Sequence, residues 1–198
     1  MWLLPLVLAG GLGMAPAPSP ERLLYPTQAE RLQSCHTPDV PATEAELNAA
    51  RQRAGERQVW FTPPAEALRG ACSRTDPRYP EIVRAAQEFD RALSSGKAPP
   101  APVGVTLWAP IRDFREVGQW RAWLVLRDGS GKELLRWMPR TGMNRQLVPG
   151  MGMSMLIFDS PTGAQRALVQ QATALWVEVD WGDGRAPVRY KAASLPSP

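Results

Sequence analysis

Five methionines, Met138, Met143, Met151, Met153 and Met155, fall close together in this 198-residue chain, and the last three alternate. In a strand, alternation places all three thioethers on one face, and soft thioether sulfurs select Cu(I). Met151, Met153 and Met155 are therefore the candidate metal ligands. The competing reading is apolar packing, for which methionine is a common gap-filler. No histidine lies nearby to complete a site, so packing takes precedence and no cofactor is expected.

The same region is also basic. From Leu134 to Phe158 there is no Asp or Glu, while Arg136, Arg140 and Arg145 are interspersed with Gly142, Gly150 and Gly152. A basic, glycine-containing loop free of carboxylates suits an acidic protein partner or a phosphate-bearing polyanion. These three arginines are the candidate partner-binding residues. The charge is uneven along the chain: up to Pro102 there are 11 basic and 11 acidic residues, and from Val103 onward 12 basic and 8 acidic, so the net +4 belongs to the C-terminal half.

Catalysis is not expected. The single histidine, His36, sits beside Cys35 and just before Pro38, a poor place for the positioned base that a hydroxyl nucleophile needs. Glu178, Asp180 and Asp183 form the closest carboxylate cluster. A strand would set the first two on a solvent face opposite basic partners, which favours the ionised form and argues against a general acid. Tryptophans can stack on sugar rings, and six of the eight (Trp108, Trp120, Trp123, Trp137, Trp176 and Trp181) lie in the C-terminal half. Trp120 and Trp123 are three apart and fall on opposite faces of a strand, so most of the tryptophans are read as core.

Two cysteines, Cys35 and Cys72, match one disulfide in an oxidising compartment, and neither has the spacing of a zinc or haem site. The N-terminus points the same way. Trp2 to Leu12 is an apolar run followed by small residues and the Ala15-Pro16-Ala17-Pro18 linker, which resembles a secretory signal although no basic residue precedes it. The expected localisation is periplasmic or secreted. Nucleic acid is disfavoured by that compartment, and membrane contact is expected only if the N-terminal segment is retained.

These residues need elements to position them. Helical patterns cover about 44–58, where Thr43 and Glu46 have capping-box spacing, and Pro80 to Ser94, where Ile82, Val83, Ala86, Phe89 and Leu93 share a side. Val59-Trp60-Phe61 between them reads as a buried anchor. The linker Ala98-Pro99-Pro100-Ala101-Pro102 ends the helical part, and the period then becomes two. Val103 to Trp108 is a strand. Trp120 to Trp137 is a hairpin about Asp128-Gly129-Ser130-Gly131. Ser154 to Phe158 is a strand, and Leu175 to Trp181 pairs with Ala186 to Lys191, an edge strand because of Pro187. Pro161 to Thr173 fits either helix or strand. The expectation is an α+β chain: residues 1–17 a signal peptide, 18–102 a small helical region tied by one disulfide, and 103–198 an antiparallel β-sandwich-like domain. The function expected is an exported, non-catalytic envelope or periplasmic interaction module. It would bind an envelope protein or a polyanion, with Cu(I) handling and glycan binding as the alternatives.

Overall fold

The computed structural model describes residues 18–38, 57–73 and 77–195. The signal-like segment and most of the helix expected over 44–58 lie outside the described residues. A few helices, gathered toward the N-terminus, precede and flank two four-stranded antiparallel sheets that form a sandwich. The helices are α1 (Pro20–Leu24), α2 (Gln28–His36), α3 (Pro80–Ser94) and α4 (Ala164–Gln171). The strands are β1 (Gln58–Thr62), β2 (Val103–Pro110), β3 (Arg121–Arg127), β4 (Glu133–Trp137), β5 (Thr141–Val148), β6 (Met151–Phe158), β7 (Ala174–Asp180) and β8 (Val188–Lys191). The first sheet runs β1-β2-β6-β5 and the second β4-β3-β7-β8.

The helical part is set by local signals. Thr27 and Glu30 form a full capping box at the start of α2: the Thr27 hydroxyl accepts from the Glu30 amide, and the Glu30 carboxylate accepts from the Thr27 amide. Pro80 opens α3, where its missing N–H costs nothing. α3 buries Ala86 and Leu93 and leaves Ile82 exposed, so its apolar face is narrower than the sequence pattern suggests. Cys35 and Cys72 are disulfide-bonded, with Cα atoms 5.1 Å apart. Cys35 is fully buried with Leu93 and Ala98, so the bond stands where α2 and α3 meet.

Period-two alternation builds the sandwich. Val103, Val105, Leu107 and Ala109 of β2, Leu124 and Leu126 of β3, Leu156 and Phe158 of β6, and Leu175, Val177 and Val179 of β7 point between the sheets and form one core. Each large side chain fully buried here contributes roughly 2 kcal/mol of transfer free energy. The anchor at Val59-Trp60-Phe61 is a strand, β1, paired along β2 from Gln58 opposite Trp108 to Thr62 opposite Gly104. The sandwich thus recruits a strand from the far side of the proline-rich linker, and Leu24 of α1 also enters its core.

The central hairpin forms as expected. Gly131 takes φ +85°, Asp128 Oδ1 accepts from the amides of Ser130 and Lys132, and Leu124 pairs with Trp137. Trp120 is not part of the strand. It closes a short 3-10 helix, Phe114–Gln119, whose start is capped by Asp113 and Glu116. Pro161 to Thr173 resolves as helix α4, and β8 begins at Val188 because Pro187 has no N–H to donate.

One glycine is required by packing. A Cβ on Gly152 would lie 2.4 Å from Val117 Cγ2 and 3.0 Å from Ile111 Cγ2, where the 3-10 helix crosses β6. Gly152→Ala is expected to overpack this contact and cost about 1–3 kcal/mol, read as a fall in the urea midpoint with an unchanged m-value. An unchanged midpoint would mean that the 3-10 helix yields freely.

Candidate interaction surface

The outward face of the second sheet carries an ionic cluster. The β7–β8 register sets Glu178 opposite Arg189, as the hairpin pattern requires. Glu178 is not a solvent-face residue, however: it is only 3% exposed. Arg127 Nη2 lies 3.0 Å from Glu178 Oε1, Arg136 Nη2 2.6 Å from Oε2, and Arg189 Nε 2.9 Å from Oε1. Arg136 also binds Glu133 through two hydrogen bonds of 3.0 and 2.9 Å, and its guanidinium stands 5.8 Å from the Trp123 ring centroid. Long arginine stems cover the sheet here, and Val125, between Arg136 and Trp176 in register, is fully buried. Burial pushes the Glu178 carboxyl up, but hydrogen bonds from Arg136 and Arg127 and the charges of Arg136 and Arg189 outweigh it and hold the group below its ordinary range. A carboxylate so held keeps no proton to donate near neutral pH.

Arg136 therefore does not begin a free basic loop. Its guanidinium is committed to two carboxylates. Arg140 is exposed and pairs with Asp159 at 3.1 Å. Arg145 lies exposed in β5, and no ion pair among the described residues involves it. The expected flexible loop is a β-hairpin: β5 and β6 pair from Thr141 opposite Ile157 to Val148 opposite Met151, turning at Pro149-Gly150 with Gly150 at φ +80°. Proline followed by a positive-φ glycine makes a tight turn. That dipeptide, with the alternation on either side, was the sequence signal for the hairpin.

The methionines do share one side of β6, the side turned away from the core between the sheets. Met151 and Met153 are buried and Met155 is half-buried. Across the ladder Met153 faces Trp108, and Met155 faces Met143 of β5, a fourth thioether that the alternation alone does not reveal. Trp108 makes an edge-to-face contact with Trp60 at 5.6 Å between centroids. The tryptophans divide likewise. Trp120 and Trp181 are core residues in edge-to-face contact at 5.2 Å, whereas Trp60, Trp108, Trp123 and Trp176 lie half-buried on outward faces. The sandwich fills its core chiefly with Val and Leu, which leaves those four aromatics outside it.

β5 is the third feature. Thr141 to Gln146 are all exposed, and among the described residues the strand forms an edge of the first sheet. Beside it a cleft of about 200 Å³ opens between the sheets. Its floor is the inward side of β5 and β6, namely Gly142, Asn144, Ser154 and Leu156, and its walls include Trp120 and Met138. Ser154 is buried and donates to Asn144 Oδ1 at 2.8 Å.

The helical region offers little chemistry by comparison. His36, Cys72 and Asp90 approach one another, but the Cys72 sulfur is spent in the disulfide and provides no thiolate. What remains is a His36–Asp90 contact of 3.1 Å joining α2 to α3. A depression of about 420 Å³ beside α1 and α2 is crossed by the exposed Arg22–Glu30 pair. No described helix is long and apolar enough to cross a membrane. No protein family matches this chain, and no curated protein and no solved structure is significantly similar to it.

Proposed function

We propose that this chain is an exported, non-catalytic interaction module of the cell envelope or periplasm that holds a protein partner through the β5–β6 side of its sandwich. The observation that carries the reading is the exposure of Thr141 to Gln146, with Met138, Met143 and Arg145 exposed, within a stretch, Leu134 to Phe158, that holds no acid. Exposed apolar and basic surface of this kind marks partner contact more often than solvent contact. The Cys35–Cys72 disulfide supports an oxidising compartment.

Mild purification of the native chain from its own envelope, with mass spectrometry of co-eluting proteins, tests this. A protein recovered in constant ratio is expected, with recovery reduced severalfold by Arg145→Glu. Elution as a lone monomer at native abundance overturns the reading. Cu(I) handling is the second reading, favoured by the register that sets Met143 opposite Met155. Under it, the full chain retains Cu(I) against a chelator, and a variant with Met143 and Met155 changed to Leu does not. Retention by that variant removes these thioethers from consideration.

A further inference from the structure

We propose that β5 accepts an extended, acidic segment of the partner protein as a fifth strand of the first sheet. The proposal rests on the interaction-module reading and specifies its mode. Four strands end the two sheets, and β5, at 8 residues, is longer than β1 with 5, β4 with 5 and β8 with 4. An edge strand points alternate N–H and C=O groups at solvent, a ready template for another chain. The common protections are few here. No proline interrupts β5, its inward residues Gly142, Asn144 and Gln146 carry no charge, and its only irregularity falls late, between Gln146 and Val148. Among the described residues, Thr141 to Gln146 therefore offers a regular, unshielded ladder.

The two sides of this ladder specify the guest. Inward side chains of an added strand meet the cleft between the sheets, where Leu156, Trp120 and Met138 present apolar atoms and the missing side chain of Gly142 leaves Leu156 against the strand. Outward side chains meet Thr141, Met143 and Arg145, with no carboxylate on either β5 or β6. Arg140 pairs with Asp159, and Arg121, which also lines the cleft, donates to the Gly118 and Trp120 carbonyls, so on the outward side of β5 Arg145 is the cation left to answer an incoming charge. The segment that fits alternates apolar residues facing in with acidic residues facing out, using backbone bonds for affinity and the alternate pockets for specificity. A second copy of the chain would bring another acid-free, basic strand to the same place, which charge disfavours. A nucleic acid would need a row of cations where β5 supplies one.

The test uses the full oxidised chain and a capped peptide of alternating valine and glutamate as long as β5. Amide exchange measured by NMR is expected to slow about tenfold or more at alternate residues of Thr141–Gln146 when the peptide binds. Two N-methylated peptides separate backbone pairing from charge. Methylation of the alternate amides that face β5 is expected to weaken binding by about tenfold, and methylation of the other set to leave it unchanged. Arg145→Glu is expected to weaken binding about fivefold and to favour a valine–lysine peptide instead. Absence of binding, equal binding by both N-methylated peptides, or protection of β5 without peptide at twice the monomer mass each overturns strand addition. If the peptide fails while a protein still co-purifies from the envelope, strand addition falls and the module reading stands. If nothing co-purifies, the module reading falls as well.

Discussion

Glu178→Gln is expected to destabilise the protein by about 3 kcal/mol at neutral pH, seen as a lowered denaturant midpoint. The substitution keeps the shape and one acceptor oxygen but removes the charge that Arg127, Arg136 and Arg189 converge on. Removing one member of a buried ion cluster leaves the others uncompensated, and that penalty, about 3–5 kcal/mol in buried cases, exceeds the net worth of the pair. The lower end applies because the Arg189 side chain is 60% exposed and that of Arg136 35%. Replacing Glu178, Arg127 and Arg136 together by apolar residues of similar size is expected to recover most of the loss.

The same substitution has a pH signature. The folded state holds the Glu178 carboxyl below its ordinary range, and that of Glu133 as well, the latter chiefly through its hydrogen bond with Arg136. A depressed carboxylate adds stability that is fully present above the unfolded value of about 4.3 and is lost as pH falls through the folded value. The gap between wild type and Glu178→Gln should stay flat from neutral pH down to about 5, then narrow with further acidification. A gap independent of pH down to acid unfolding would show that Glu178 contributes shape and not charge.

Loss of the disulfide should cost slightly more. Cys35 and Cys72 are separated by 37 positions, and closing a loop of that length restricts the unfolded chain by about 4 kcal/mol in the chain-entropy account. The satellite cluster it ties is small, with Cys35, Leu93 and Ala98 as its buried members, and beyond it α2 is held mainly by polar contacts: His36 with Asp90, Gln28 with the Leu93 carbonyl and Arg31 with the Pro99 carbonyl. With both cysteines changed to Ser, helical far-UV signal is expected to melt first, while the near-UV signal of the Trp120–Trp181 pair persists to higher denaturant. The backbone bond from the Cys72 amide to the Cys35 carbonyl, 3.1 Å long, should open with the helices, which hydrogen exchange at Cys72's position would report. Simultaneous loss of both signals would instead show that the helices and the sandwich unfold as one unit, through the contribution of Leu24 and β1 to the shared core.

How much was legible depends on the range of the interaction. The Asp128-Gly129-Ser130-Gly131 hairpin, the span of α3 and the β7–β8 charge pairing are written in neighbouring residues: turn chemistry, a 3.6-residue period and cross-strand alternation. The β5–β6 hairpin carried an equally local signal in Pro149-Gly150, obscured because glycines and arginines in that run suggest a loop. The 3-10 helix at Phe114–Gln119 was also announced, by Asp113 and Glu116 at capping-box spacing. By contrast, nothing near Val59-Trp60-Phe61 says that it will pair with β2 across more than forty intervening residues.

By itself, then, the sequence determined α3, β2, the β3–β4 and β7–β8 hairpins and the alternation of faces along those strands, together with the cysteine pair that ties the helices. It placed Met151, Met153 and Met155 on one side of a strand and Glu178 beside Arg189. Tertiary structure alone decided which of those sides is inside. The inward faces of the two sheets were filled by Val, Leu and Phe158, so the methionines and four tryptophans were turned outward. Packing of β3 between β4 and β7 brought Arg127 and Arg136 onto Glu178, which converted a solvent-face carboxylate into a buried one. Strand order then left β5 at an edge. Alternation is a property of one strand, whereas burial depends on what the neighbouring strands and the opposite sheet bring to it.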